Sequence, residues 1–234
     1  NMKKLQLFFP VSESYKISQK FGGNLIKYSQ FGLKGHTGFD IYQMPRFVYS
    51  ATFNVYAAHE GEVVHIERDS KLGIGITIRT NEQFLADLSS ETYFFKTRYW
   101  HLQQGGVLVQ IGQKVKTGDL IAYADNTGLS TGTHLHWDLK PIKVVGEIDT
   151  EEEKLALSDY DFTNVFQDNG YFGAVNPEPY LEKRTDGSYY TAWQIKEDLR
   201  KIGEKVDELT KDIEEFKKSW LSRLAEFIMK IFKA

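Results

Sequence analysis

A chain of 234 residues has room for one generous domain with an appendage, and it can bury a core of ordinary size. Hydrophobic residues make up 41% and charged residues 26%, a globular composition, and Tyr and Phe dominate the 14% that is aromatic, which favours strands. A net charge of −3 removes the electrostatic case for nucleic acid, and the absence of cysteine means that any metal must be held by histidine and carboxylate.

Met2 follows a lone Asn1 and is read as the native start. The stretch LQLFFPV is too short for the apolar region of a signal peptide and runs directly into polar SESYK, so no signal peptide is evident. No segment approaches the roughly 18 apolar residues of a membrane span. Residues 15–28, YKISQKFGGNLIKY, predict an edge strand and a glycine turn. The segment GHTGFD then sets His36 and Asp40 four residues apart, a spacing that keeps one face of a strand, while Gly35 and Gly38 oppose a helix.

Residues 53–80 alternate apolar and polar positions between glycine breaks, the pattern of antiparallel hairpins. His59 and His65 lie there without a partner at ligand spacing and read as structural. Residues 81–99 are longer than a hairpin needs, and the expectation is an excursion overhanging the site or an extended hairpin tip. RYWHL places His101 on a strand, and residues 107–128 return through short strands that turn at Gly112 and Gly118. Together these elements predict a mainly β chain, an antiparallel sheet or sandwich.

Asn126 to Lys140 reads NTGLSTGTHLHWDLK. On a strand, His134 and His136 share a face roughly 6 to 7 Å apart, and the preceding glycines give the loop permissive backbone. An isolated HxH is more often a packing feature, since a metal site needs further ligands. His36 and Asp40 provide them: with one histidine of the pair they make a tetrahedral zinc set with an open fourth position. Spacing alone does not choose between His134 and His136.

Residues 143–170, with the acidic run EIDTEEEK, predict a solvated loop. Residues 183–193, with RTDGSYY, read as a linker. From Ile195 the apolar residues Leu199, Ile202, Val206, Leu209, Ile213, Phe216 and Trp220 recur at alternating steps of four and three. This predicts a long amphipathic helix over 194–234, beginning near Trp193. Beyond Trp220 its stripe broadens through Leu221, Leu224, Phe227, Ile228, Ile231 and Phe232, opposite Arg223, Lys230 and Lys233.

These residues resemble the lysostaphin/LytM-type zinc metallopeptidases of peptidoglycan, the M23 peptidase family. Its signature joins an HxxxD segment, a YxHL-like segment and an HLH that closes a TGxSTGxHLH run. Here these stand as His36 with Asp40, as Tyr99 to Leu102, and as Thr127 to His136. The likeness covers about residues 30–140 and extends to Asn176, Pro177 and Leu181.

The resemblance implies two antiparallel sheets around a zinc-floored groove in a domain 1–182, followed by the linker 183–193 and the helix 194–234. It implies zinc on His36, Asp40 and His136, and catalytic roles for His101 and His134. Asp138, where relatives often carry Glu, would support the site from behind. Tyr28 and Tyr99 are candidate substrate contacts. The implied substrate is the peptide part of bacterial peptidoglycan, reached by phage-type release or by secretion. The rival reading is a catalytically silent wall-binding or regulatory module, but such relatives have typically lost ligands and this chain keeps them all. The helix is expected to fold back, to self-associate or to meet a membrane or envelope surface.

Overall fold

Period-two alternation marks the strands of the fold. The protein is described from a computed structural model over residues 3–12, 14–43, 51–86, 90–145 and 162–232. In chain order the strands are β1 (Tyr15–Gln19), β2 (Phe39–Gln43), β3 (Phe53–Tyr56), β4 (Gly61–Asp69), β5 (Gly73–Arg79), β6 (Phe84–Leu85), β7 (Thr92–Trp100), β8 (Leu102–Val107), β9 (Lys114–Val115), β10 (Leu120–Ala124), β11 (Leu135–Val144) and β12 (Phe162–Asn164). The larger sheet runs β1-β2-β11-β7-β5-β4-β9, with β12 on β11 and β6 on β7, and the smaller one runs β3-β10-β8. All pairings between these strands are antiparallel. Among the described residues two α-helices accompany them, the short α1 (Leu25–Ser29) and the long α2 (Ala192–Phe232).

The register of the larger sheet decides what faces the core. Phe39, Trp137, Tyr99 and Ile76 stand side by side across β2, β11, β7 and β5. All are buried, together with Ile41, Leu135, Leu139, Phe95 and Ile78 from the same face. The neighbouring row, Asp40, His136, Trp100 and Gly75, projects from the opposite face, because successive strand residues alternate. Gly38 lets β2 approach β11 this closely: a Cβ there would lie 2.2 Å from the Trp137 carbonyl oxygen.

The N-terminal stretch belongs to the core. Leu5, Leu7, Phe9 and Val11 are buried at alternate positions, and Phe9 stacks between Tyr15 and Tyr189 at 4.5 and 5.3 Å. That contact changes the reading of residues 183–193 as a linker. Lys183 pairs with Tyr189 across a turn, Thr191 bridges to Phe9, and Tyr189 is buried. The aromatic side chain in SYY outweighs the polar turn around it, so the first compact unit runs Asn1–Ile195 and not 1–182. The second unit is Lys196–Ala234.

The described parts of residues 81–99 pair as a hairpin, with residues 87–89 outside the described residues. Phe84 pairs with Tyr93 at the start of β7, seven residues and roughly 23 Å along the strand from Trp100, so this pair lies away from the row that carries Asp40 and His136. Within the stretch expected as a loop, β12 adds to the edge of β11. The acidic run EIDTEEEK lies outside the described residues.

His59 is structural, as its spacing suggests. Its Nδ1–H donates to the Glu60 carbonyl at 2.8 Å, and its Nε2 lies 3.0 Å from Thr97 Oγ1, which is itself 3.0 Å from the Tyr99 hydroxyl. Burial pushes its pKa down to about 4. The folded state therefore holds His59 neutral, while an unfolded chain binds a proton below about 6.5. Stability from this group is complete above pH about 6.5 and is lost as the pH falls towards about 4, by at most about 3 kcal/mol. Urea titrations of the protein and of His59→Gln across this window should show a steeper acid loss in the parent chain; parallel curves would refute the assignment.

Candidate metal centre

His36 is placed by a clasp of glycines that precedes β2. Its N–H donates to the Gly23 carbonyl at 2.9 Å and its own carbonyl accepts from Gly22 N at 2.8 Å. Gly35, at φ 150°, makes room, since a Cβ there would lie 2.5 Å from Gly22 O. Asp40 then follows on β2, directly opposite His136 on β11. Three atoms converge: His36 Nε2 is 2.9 Å from His136 Nδ1, and both lie 3.0 Å from Asp40 Oδ1. His36 is 1% exposed, but the Asp40 and His136 side chains keep 16% and 14%, so solvent reaches one side of the cluster.

Each imidazole is turned by a bond on its far nitrogen. His36 Nδ1–H donates to the Lys20 carbonyl at 3.3 Å, which leaves Nε2 as the lone pair facing inward. His136 directs Nε2 towards Asp138 Oδ2 at 3.4 Å and Thr37 Oγ1 at 3.3 Å, and presents Nδ1. His101 Nδ1–H donates to the Thr127 carbonyl and His134 Nδ1–H to the Gly132 carbonyl, both at 2.8 Å. His134 Nε2 stands 3.7 Å from Asp40 Oδ1, and the rings of His101 and His134 are 4.6 Å apart. The structure thus gathers all five residues of the three sequence segments at one place.

His101 reaches this side through an unusual backbone. It joins β7 to β8 with φ 63°, a left-handed conformation uncommon for a residue with a side chain. The kink breaks strand alternation, so Trp100 and His101, adjacent in sequence, both serve the same face. Trp100 lies over Gly75, where a Cβ would come within 2.7 Å of the indole. Thr127 ties the loop down: its hydroxyl donates to Leu102 O at 2.7 Å and accepts from Ile74 N at 3.1 Å.

The electrostatics separate the histidines. Burial, and then the neighbouring His134, push His101 down to about 4, so its Nε2 is an unprotonated base near neutrality. Burial also lowers His36. For His136 burial acts the same way but is outweighed by Asp138 and Asp40, which raise it to about 9. Asp40 is held well below the usual carboxylate range by His136 and His36, against the opposing effect of burial. Asp138 is likewise depressed: its burial is overcome by Arg98, whose Nε reaches Oδ1 at 2.9 Å and whose second terminal nitrogen reaches Oδ2 at 2.6 Å.

Among the described residues, His36, Asp40 and His136 form a group whose donor atoms lie within 4.8 Å of one another. Edges of 2.9 to 3.0 Å suit a four-coordinate metal, for which bonds near 2.0 Å give donor separations of about 3.3 Å. Two imidazole nitrogens and a carboxylate oxygen also match zinc in donor type.

Asp138 lies behind His136, where sequence reasoning expected support. Tyr28 stands beside His36, with ring centroids 5.4 Å apart, and its hydroxyl accepts from Gln19 Nε2 at 2.9 Å. Tyr99 does not fit the role of substrate contact. Alternation turns its side chain into the core, fully buried, with its hydroxyl accepting from Ala58 N at 3.0 Å. Sequence reasoning missed Thr37, Arg98 and the carbonyls of Lys20, Thr127 and Gly132. Only Arg98 left a usable signal, two residues before Trp100 and so on the same strand face.

Residues 34–147, just under half of the chain, match Peptidase family M23. Among curated proteins it is similar to an uncharacterized metalloprotease of Buchnera aphidicola subsp. Baizongia pistaciae, with 31% identity over 57% of this chain and 30% of that protein. It is also similar to the peptidoglycan DD-endopeptidase ShyA of Vibrio cholerae, with 29% identity over 56% of this chain and 26% of that one. Endolysin 2638A of Staphylococcus phage 2638A is 27% identical over 71% of this chain and 32% of the endolysin. The chain spans less than a third of the length of these relatives. Among solved structures it aligns with the catalytic domain of lysostaphin from Staphylococcus simulans, at 20% identity, 71% and 91% coverage of the two chains and a TM-score of 0.44.

The Arg98–Asp138 pair yields a stability test. Asp138 is fully buried, and removing its main counter-charge should cost on the order of 3 kcal/mol, whereas replacing both partners should cost much less. Denaturant unfolding of Arg98→Leu against Arg98→Leu/Asp138→Leu measures the difference. A single variant within about 1 kcal/mol of the parent would overturn the account.

Proposed function

We propose that this chain is a zinc-dependent endopeptidase that hydrolyses peptide bonds of bacterial peptidoglycan. The observation that carries the reading is the convergence of His36 Nε2, Asp40 Oδ1 and His136 Nδ1, each imidazole turned inward by a bond on its other nitrogen. The peptidoglycan substrate is taken from the named activity of the Vibrio relative. A silent binding module would have no need for five site residues or for a strained His101.

His36, Asp40 and His136 would hold the ion. When bound there, zinc supplies Lewis-acid polarisation of a substrate carbonyl and lowers the pKa of water. His101, kept unprotonated by burial, offers Nε2 to accept the proton of the attacking water. His134 would share that proton work, donating to the developing oxyanion or to the departing amine. Asp138 orients His136 through its Nε2, and Tyr28 would form part of the wall beside His36. The position of action proposed here is the bacterial cell wall, reached by phage-type release or by secretion.

Two sets of variants test these roles. His36→Ala, Asp40→Ala and His136→Ala should each lose zinc, read by elemental mass spectrometry, and with it hydrolysis of purified peptidoglycan. If all three retained stoichiometric zinc, the ligand assignment would be wrong. His101→Ala and His134→Ala should keep zinc but lose roughly 10² to 10⁴-fold in hydrolysis. Zinc loss in His134→Ala with zinc retained in His136→Ala would reverse the pair. Mass spectrometry of fragments from walls of defined chemistry identifies the bond cleaved.

A further inference from the structure

Along α2, Leu199, Val206, Ile213 and Trp220 alternate with Ile202, Leu209 and Phe216, and all seven remain between 52% and 71% exposed. The helix is 41 residues long, about 62 Å, so these side chains form one continuous apolar stripe. The steps of three and four repeat every seven residues, which keeps the stripe facing a partner of the same shape. An ordinary surface helix drifts from such a repeat by about 20° per heptad.

We propose that this stripe is covered by α2 of a second copy of the same chain, in a parallel two-stranded coiled coil. Size, charge and residue type agree on that occupant. Pairing hides roughly 100 Å² at each seam position, or about 1,400 Å² over both copies, within the range of stable interfaces. Between Lys196 and Lys218 the helix carries seven basic and eight acidic residues, so an anionic lipid surface gains no attraction along the seam. In the middle heptads Val206 and Ile213 occupy the first core position and Leu209 the second, a pattern that favours two strands, while Leu199 and Ile202 in the heptad before them take the reverse order.

Charge also chooses the orientation. In a parallel pair, Asp212 before one core position faces Lys217 of the second copy, twice by symmetry, and no like charges meet at these flanks. An antiparallel pair that sets Val206 against Leu209 and Ile202 against Ile213 gains Lys205 against Asp212. It also forces Lys196 against Lys217, and the two effects cancel. Two hydrolytic units joined in this way would meet a polymeric substrate bivalently.

Sedimentation velocity on the intact chain should give twice the 27.0 kDa protomer mass at about 100 µM, with dissociation on dilution. Val206→Lys/Ile213→Lys should sediment as a monomer and lose helical circular dichroism, while zinc content shows that the β unit still folds. Because the chain has no cysteine, Ile213→Cys reports orientation directly: oxidation should link two copies in a parallel pair and not in an antiparallel one. A monomeric intact chain at about 100 µM, including one that instead binds vesicles of anionic phospholipid, would overturn the proposal. So would a lysine variant that stays dimeric, and failure of the cysteine link would overturn the parallel arrangement.

Discussion

Everything at the site depends on how β11 is paired between β2 and β7. Asp40, His136 and Trp100 stand in one row across these strands, and Phe39, Trp137 and Tyr99 stand in the next. Alternation couples the two rows: the aromatic row enters the core only if the polar row points outward. A one-residue slip of β11 would bury His136 and expose Trp137, so the same burial energy that stabilises the sheet also fixes the donor atoms. Gly38 belongs to this constraint, because any side chain there would push β2 away from β11.

Behind the donors lies a second layer that fixes direction. Backbone carbonyls of Lys20, Thr127 and Gly132 hold three histidines, and Asp138 holds the fourth. Carbonyl acceptors carry no charge, so they choose a tautomer at little desolvation cost. Asp138 does carry charge, and the Arg98 fork makes its burial tolerable. The arrangement concentrates electrostatic risk at one ion pair.

The β unit and α2 follow different rules. In the first, apolar side chains face a core made by the same chain. In the second, a stripe of seven apolar side chains is exposed to solvent in the single protomer. Its heptad spacing sets the shape of any surface that covers it.

Much of this was legible in the sequence for local reasons. Alternation marked the strands, glycines marked the turns, and the HxxxD and HxH spacings marked the donors, because each depends on neighbours a few residues apart. The long helix was legible for the same reason. Tertiary structure alone decided the rest. Whether Tyr99 faces substrate or core depends on the register of β7 against β11, which no local pattern states. The turn at residues 183–191 looked like a linker because the aromatic partner of Tyr189 is Phe9, far away in the chain. The left-handed kink at His101 and the carbonyls that turn the imidazoles leave no mark in residue type, since every residue has a carbonyl and only packing chooses which one is near. The sequence by itself therefore determined which side chains could bind a metal; pairing across distant segments decided which nitrogen each one presents.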